Sequence, residues 1–205
     1  MHESSPGTPL RYGYVSNGFR DHTIDQMTQV LRRFGYDGVG LTIDPVHIDP
    51  FEVRPARLDH IRRLLESRRL AVVVETGARY VLDAFRKHRP SLVSVDAEGR
   101  RARIEYYRRA IDIAARLGAT CVSLWSGTPQ RGVPHDRCWS RLVDGLRTVC
   151  DHAHERSIAV AFEPEPGMFI ETLAQFRELN ERLEHPALKL TLDLGHVAIT
   201  EKPPF

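Results

Sequence analysis

The sequence alternates between two kinds of segment, and this alternation most restricts what the chain can fold into. Short apolar runs are each followed by a longer stretch in which apolar residues recur at helical spacing. The run at 70–75, Leu-Ala-Val-Val-Val-Glu, lacks apolar–polar alternation, which is typical of a strand buried on both faces. Comparable runs lie at 11–15, 38–43, 120–125, 158–163 and 188–193. The sequence therefore predicts six parallel strands joined by helices.

Capping residues help to place the helices between these runs. Thr23 is a favourable N-cap and Gly35 is a favourable residue beyond a helix C-terminus, which predicts a helix between them. The amphipathic spacing predicts further helices at about 55–68, 101–117, 136–155 and 173–183, and a short one near 82–87. The segment 76–99 is otherwise the longest irregular stretch of the chain.

Two architectures fit this order of elements, a (β/α) barrel and an open doubly wound sheet. The first strand is followed by neither of the glycine-rich motifs that cradle phosphates, G-x-G-x-x-G and G-x-x-x-x-G-K-[ST]. Instead, polar or aromatic residues end several runs: Glu75, Trp125, Glu163 and Asp193. Because barrel active sites form at the carboxyl ends of the strands, we predict an α/β fold with a TIM-barrel domain over residues 1–205.

Composition excludes several classes of protein. Lys and Arg number 29 against 27 Asp and Glu, and this net charge of +2 gives no electrostatic reason to expect a nucleic-acid partner. No apolar run approaches the roughly 20 residues of a membrane helix. The polar residues 1–9 contain no apolar signal-peptide core, and we expect them to be flexible. The three cysteines, Cys121, Cys138 and Cys150, lack C-x-x-C spacing, which favours a reducing, cytoplasmic setting.

The segment from Asp193 to His196 carries the most information about chemistry. A carboxylate ends an apolar strand, and an imidazole follows three residues later. Positions three apart on an extended strand face opposite sides, so the chain must turn for the two groups to converge, and Gly195 permits that turn. A carboxylate and an imidazole together suit a divalent transition metal. The alternative is a capping Asp and a surface His.

Glu163 and Glu165 lie where the fifth strand ends. A charged side chain at the end of an apolar strand is costly unless it is paired or metal-bound, which favours a functional Glu163. Pro164 and Pro166 hold the following loop extended, so both carboxylates could face one pocket. Glu165 could equally be a solvated loop residue.

Three further residues are weaker candidates. Trp125 could stack on the apolar face of a sugar or could pack in the core, and substrate contact is favoured because binding pockets are rich in aromatic residues. His47 follows the second strand and is either a pocket residue or a surface histidine. Glu75 could face the pocket, but pairing with one of the many arginines is the preferred interpretation.

The order of elements and two strand-end motifs resemble the xylose-isomerase-like barrels from Tyr12 onward. The specific part is Phe162-Glu163 at the fifth strand together with Leu192-Asp193-Leu194-Gly195-His196 at the sixth. The resemblance implies that Glu163 and Asp193 bind a divalent metal (Mn, Zn, Co or Mg). It also implies that Glu163 is a catalytic acid–base group. His196 would contact substrate, as in the epimerases, or metal, as in the endonucleases.

The resemblance also implies a function, and it implies two further strands that this sequence does not contain. It implies an isomerase or epimerase that moves a proton beside the carbonyl of a small sugar, sugar phosphate or polyol. Alternatives are a dehydratase or lyase, an apurinic-site endonuclease and a non-catalytic sugar-binding protein. The family also requires a His at a seventh strand and a Glu at an eighth. The sequence ends at Phe205, soon after the sixth strand. We therefore expect a barrel truncated after that strand, with exposed edges that allow a homo-oligomer.

Overall fold

The computed structural model describes residues 10–202, and the segment 1–9 that we expect to be flexible lies outside this range. A 3₁₀ turn, Ser16–Phe19, follows the first strand. The strands are β1 (Gly13–Val15), β2 (Gly38–Thr42), β3 (Ala71–Glu75), β4 (Cys121–Leu124), β5 (Ala159–Phe162) and β6 (Leu188–Leu190), and the α-helices are α1 (Ile24–Arg33), α2 (Pro55–Ser67), α3 (Ala97–Leu117), α4 (His135–His154), α5 (Leu173–Leu183) and α6 (Leu194–Thr200).

The strand order decides between the two predicted architectures. All five strand pairings are parallel, and each strand pairs with the next one in the sequence, in the order β1-β2-β3-β4-β5-β6. A doubly wound sheet would reverse direction at a switch point, whereas a (β/α) barrel adds its strands in sequence order. Within residues 10–202 no pairing joins β6 to β1, so the sheet has two edges.

The core lies between the sheet and its layer of helices. Leu41, Val74 and Val122 on the strands are fully buried against helical residues such as Met27 and Leu142. Apolar side chains are exposed on or beside both edge strands, as the sequence predicts; these are Tyr12, Tyr14, Val15, Leu190 and Leu192. Self-association through these edges stays a prediction. None of the helices within 10–202 has the length and apolar character needed to cross a membrane.

Local capping explains where the elements differ from the predicted boundaries. Helix α3 begins at Ala97, four residues before the predicted start, because the Asp96 side chain accepts hydrogen bonds from the backbone N–H groups of Glu98 and Gly99. The short helix predicted near 82–87 is wrong. There the Asp83 carboxylate accepts hydrogen bonds from the backbone of Phe85 and Arg86, which holds the segment in a turn.

Three residues of α3 fasten the segments that follow β3 and β4. Arg103, only 1% exposed, donates hydrogen bonds to the carbonyls of Pro90 (2.8 Å) and His88 (3.3 Å). The buried Tyr106 hydroxyl lies 3.4 Å from the carbonyl of Thr76, and Tyr107 donates to the carbonyl of Trp125 at 3.3 Å. The helix therefore sets the position of the backbone just beyond β3 and β4.

Substitution Arg103→Ala should destabilise the chain by about 3 kcal/mol, because it leaves buried carbonyls without donors and opens a cavity. Urea unfolding followed by far-UV circular dichroism measures the loss. Arg101→Ala, an exposed change on the same helix, is the matched control and should shift stability by less than about 0.5 kcal/mol. Equal effects of the two substitutions would show that the buried guanidinium does not hold the loop.

Candidate active site

The register between β5 and β6 brings the principal candidates together. Phe162 pairs with Leu190, and Glu163 follows β5 directly while Asp193 lies three residues beyond the end of β6. One ligand atom from each of Glu163, Asp193 and His196 lies within 4.8 Å of the others. We call these three residues the carboxylate–histidine cluster. The convergence predicted for Asp193 and His196 is therefore present, and Glu163 joins them.

Asp193 combines the two roles that the sequence left as alternatives. One carboxylate oxygen, Oδ1, accepts a hydrogen bond from the backbone N–H of His196 at 2.9 Å and so caps α6. The other oxygen, Oδ2, lies 3.9 Å from Nε2 of the same histidine. The turn occurs at this cap. Gly195 lies within α6 and has no positive φ, so the turn does not use the conformational freedom that a glycine permits there.

The imidazole of His196 lies between the carboxylates of Glu163 and Asp193. Its Nδ1 lies 3.4 Å from Oε1 of Glu163, yet that nitrogen is buried and has no hydrogen-bond partner within the described chain. A buried polar atom without a partner costs about 1–3 kcal/mol. The cluster therefore contains a nitrogen that a bound ligand or ion would satisfy.

Negative charge concentrates around Glu163. Burial raises the pKa of Glu163, and the charges of Glu165 and Asp193 raise it further, while His196 lowers it. Burial also raises the pKa of Glu165, opposed by His196 and Lys87. Glu165 therefore lies close enough to interact electrostatically with the cluster. A bound cation would offset this accumulated charge.

Glu75 is a carboxylate for which sequence analysis preferred a structural role over a place in the pocket. No arginine forms an ion pair with it among residues 10–202, so the preferred pairing is not found. Its pKa rises to about 7, mainly because the side chain is buried and secondarily because of the Glu163 charge. Glu75 pairs in register with Thr42 on one side and Ser123 on the other. The sequence feature that could have identified Glu75 as a functional residue is its position at the end of an apolar strand without apolar–polar alternation.

Trp125 and His47, the two weaker candidates for substrate contact, are both buried. Trp125 is 6% exposed, and its ring meets that of His88 edge-on at 5.1 Å. His47 is 5% exposed, and its Nε2 lies 3.3 Å from the carbonyl oxygen of His22. The His47 ring is thus bonded to a neighbouring loop and is not one of the three clustered residues. Substrate contact by Trp125 and His47 stays a prediction.

Comparison with known proteins places the chain in a family. A family model described as "Xylose isomerase-like TIM barrel" matches residues 28–205. The chain belongs to this family. The predicted TIM-barrel class and the resemblance to the xylose-isomerase-like barrels are therefore confirmed. A search of curated protein sequences finds no match.

Solved structures share the fold at low sequence identity. D-psicose 3-epimerase, solved in the presence of D-fructose, has a TM-score of 0.76 and 18% identity, and covers 94% of this chain. L-ribulose 3-epimerase has a TM-score of 0.75 and 21% identity over 94% of this chain. An AP endonuclease family 2 protein from Brucella melitensis has a TM-score of 0.72 and 19% identity over 96%. The chain spans 66%, 63% and 73% of their respective lengths.

Replacing Glu75 with glutamine should stabilise the metal-free chain at neutral and higher pH. The folded chain binds the Glu75 proton with a pKa of about 7 and the unfolded chain with a pKa near 4.5. The folded state therefore holds more protons between these values, and stability falls as the pH rises through this window. The Glu75→Gln variant avoids this cost, which is about 3 kcal/mol above pH 7 and under about 1 kcal/mol at pH 5.

Urea unfolding at pH 5 and pH 8, in the presence of a chelator, measures the difference between the two proteins. Glu181→Gln is the matched control, because Glu181 is exposed on α5. A Glu75→Gln variant whose stability relative to the wild type is the same at both pH values would contradict the raised pKa.

Proposed function

We propose that this chain belongs to a divalent-metal-dependent isomerase or epimerase that acts on a small sugar, sugar phosphate or related polyol. The supporting observation is the carboxylate–histidine cluster at the ends of β5 and β6, with its unpartnered buried nitrogen on His196. Family membership supports the same reading, since solved structures of this fold include two sugar 3-epimerases.

The donor set fits a divalent metal such as Mn, Zn, Co or Mg. Glu163 and Asp193 offer carboxylate oxygens, and Asp193 uses only Oδ1 for capping, which leaves Oδ2 available. Carboxylate and imidazole ligands suit this group of ions. When bound, the ion would act as a Lewis acid that polarises the carbonyl and hydroxyl oxygens of a ketose. Two carboxylates leave further coordination positions for other ligands.

Glu163 is the proposed acid–base group for moving a proton at the carbon beside the carbonyl. A carboxylate is an efficient general base when its pKa is shifted toward the working pH, and burial raises the pKa of Glu163 in that direction. His196 would orient the substrate by a hydrogen bond from its ring. Glu165 would bind a substrate hydroxyl, and Trp125 would close the apolar side of the pocket.

The endonuclease alternative has less support. For the endonuclease members, the family resemblance implies metal-binding histidines at the ends of the third and fourth strands. Here the corresponding positions hold Glu75 and Trp125. The net charge of +2 also lacks the basic excess expected for a nucleic-acid partner.

A cytoplasmic location is proposed on the basis of the cysteines. Cys121, Cys138 and Cys150 are all free thiols, and two of them are buried. Free buried thiols persist most readily in a reducing compartment.

Loss of either carboxylate should remove bound metal. Glu163→Gln and Asp193→Asn remove the ligand charge but little volume, and Asn still caps α6, so the fold is preserved. After loading with Mn²⁺ or Co²⁺ and dialysis, elemental analysis should find metal in the wild type and at least tenfold less in each variant. Glu181→Gln is the control. A wild type without metal after reloading, or unchanged metal in both variants, would overturn the metal site.

Proton transfer itself can be tested in D2O. Ketoses incubated with the metal-loaded protein should gain solvent deuterium at the carbon beside the carbonyl, detected by NMR, and Glu163→Gln should abolish the exchange. Retained metal with no exchange and no isomerisation would support a sugar-binding protein instead. Isomerisation without exchange would indicate a hydride shift, and loss of water would indicate a dehydratase.

The role of His196 separates the epimerase from the endonuclease alternative. The variant His196→Gln should keep its metal content within about twofold of the wild type and should bind ketose about tenfold more weakly, because it loses one hydrogen bond in a buried site. His60→Gln, an exposed change on α2, is the matched control. Loss of metal in His196→Gln would assign the histidine to the ion, as in the endonucleases.

A further inference from the structure

A second cavity lies at the carboxyl ends of the first three strands. It has a volume of about 490 Å³ and is bounded by the segments that follow β1, β2 and β3. Its lining includes Asn17, Arg20, Asp44, Arg79 and Tyr80. This volume falls within the range of about 300–1,000 Å³ that is typical of small-molecule sites. The cavity contains none of the residues of the carboxylate–histidine cluster.

The charges that line this cavity favour an anion. Two arginines, Arg20 and Arg79, and one carboxylate, that of Asp44, line the cavity. Asp44 Oδ1 accepts hydrogen bonds from the backbone N–H groups of Val46 and His47 at 3.0 and 3.1 Å, and Oδ2 lies 3.8 Å from Arg20. Arg79 forms no ion pair with any residue of the described range 10–202. One positive charge therefore remains uncompensated by the lining residues.

Neutral donors accompany these charges. The side chains of Asn17 and Tyr80 line the same cavity and are exposed to it or to solvent. An amide N–H and a phenol O–H can each donate to an oxyanion. Arginine, with its fork of N–H groups, recognises phosphoryl and carboxylate oxygens better than any other side chain.

The loop after β3 links this cavity to the cluster. Arg79 accepts a hydrogen bond from the His88 backbone N–H at 2.7 Å through its own carbonyl. Lys87 precedes His88, and its positive charge lowers the pKa of Glu165. The Lys87 ammonium group therefore lies near the Glu165 carboxylate, which interacts electrostatically with the cluster. Both sites open at the carboxyl ends of parallel strands, which lie on one face of a barrel.

We propose that this cavity binds an anionic group, phosphoryl or carboxylate, at the end of the carbohydrate distant from the reacting carbons. The inference rests on the proposed function, which places those reacting carbons at Glu163, Asp193 and His196. It narrows the substrate class to sugar phosphates and sugar acids. Arg79 is the principal anchor, because Arg20 already has Asp44 beside it.

Isothermal titration calorimetry on the 205-residue chain tests the proposal with three probes, D-fructose, D-fructose 6-phosphate and D-galacturonate. At least one anionic sugar should bind about tenfold more tightly than D-fructose, and its affinity should fall as salt is raised. Arg79→Gln should weaken that binding about tenfold and Arg20→Gln should weaken it less, while neither changes the affinity for D-fructose. Arg32→Gln, an exposed change on α1, is the matched control.

The two anionic probes distinguish the sources of the charge. Preference for the phosphate assigns a phosphoryl group, and preference for the uronate assigns a carboxylate. Anionic sugars that bind no more tightly than D-fructose, absence of any binding, or an Arg79→Gln variant that behaves as the wild type would each overturn the proposal. Repeating the titrations with Asp193→Asn separates the two proposals, because anion binding that depends on Arg79 would survive there even if the metal site failed.

Discussion

The hydrogen-bonded register between β5 and β6 is the constraint on which the cluster depends. Ala161 pairs with Lys189 and Phe162 with Leu190, and Glu163 and Asp193 are placed by these pairs. A slip of one residue would turn the side chains of one strand to the opposite face. Val160 and Phe162 of β5 oppose such a slip because both are fully buried, and the Phe162 ring packs against Phe176 of α5. Burial of the core therefore fixes the geometry of the polar site.

Negative and positive side chains occupy different parts of the edge formed by the carboxyl ends of the strands. Carboxylates gather at the ends of β3, β5 and β6, and burial raises the pKa values of Glu75 and Glu163. Positive side chains lie on the segments after β1 and β3, among them Arg20, Arg79 and Lys87. A carbohydrate with one anionic end matches this division, since a metal bound at the carboxylates would hold the other end. The proposed metal site and the proposed anion site would then hold the two ends of one substrate.

Helix α3 supports the loop 76–95 through a residue, Arg103, that is not one of the proposed catalytic residues. Arg103 lies beneath the loop 76–95 and satisfies two of its carbonyls, while its guanidinium group lies 5.2 Å from the ring centre of Tyr106. Without this anchor, movement of the loop would cost little free energy, because loops make few buried contacts. Anchoring it from below gives Arg79, Lys87 and His88 defined positions above the sheet. Rigid support of this kind allows a loop to contribute to a binding site.

The sequence by itself determined the six strand–helix units, the parallel order and the carboxylates at the strand ends, because hydrophobic period and capping are local properties. Helix α5 begins and ends at Leu173 and Leu183 as predicted, and its Thr172 cap is readable from sequence. Tertiary structure alone decided that Asp193 both caps α6 and lies beside the His196 ring. It also decided that, among residues 10–202, His196 Nδ1 has no hydrogen-bond partner and the largely buried Glu75 has no arginine ion pair. These features depend on distances between segments far apart in the chain, and no local pattern of residues specifies such distances.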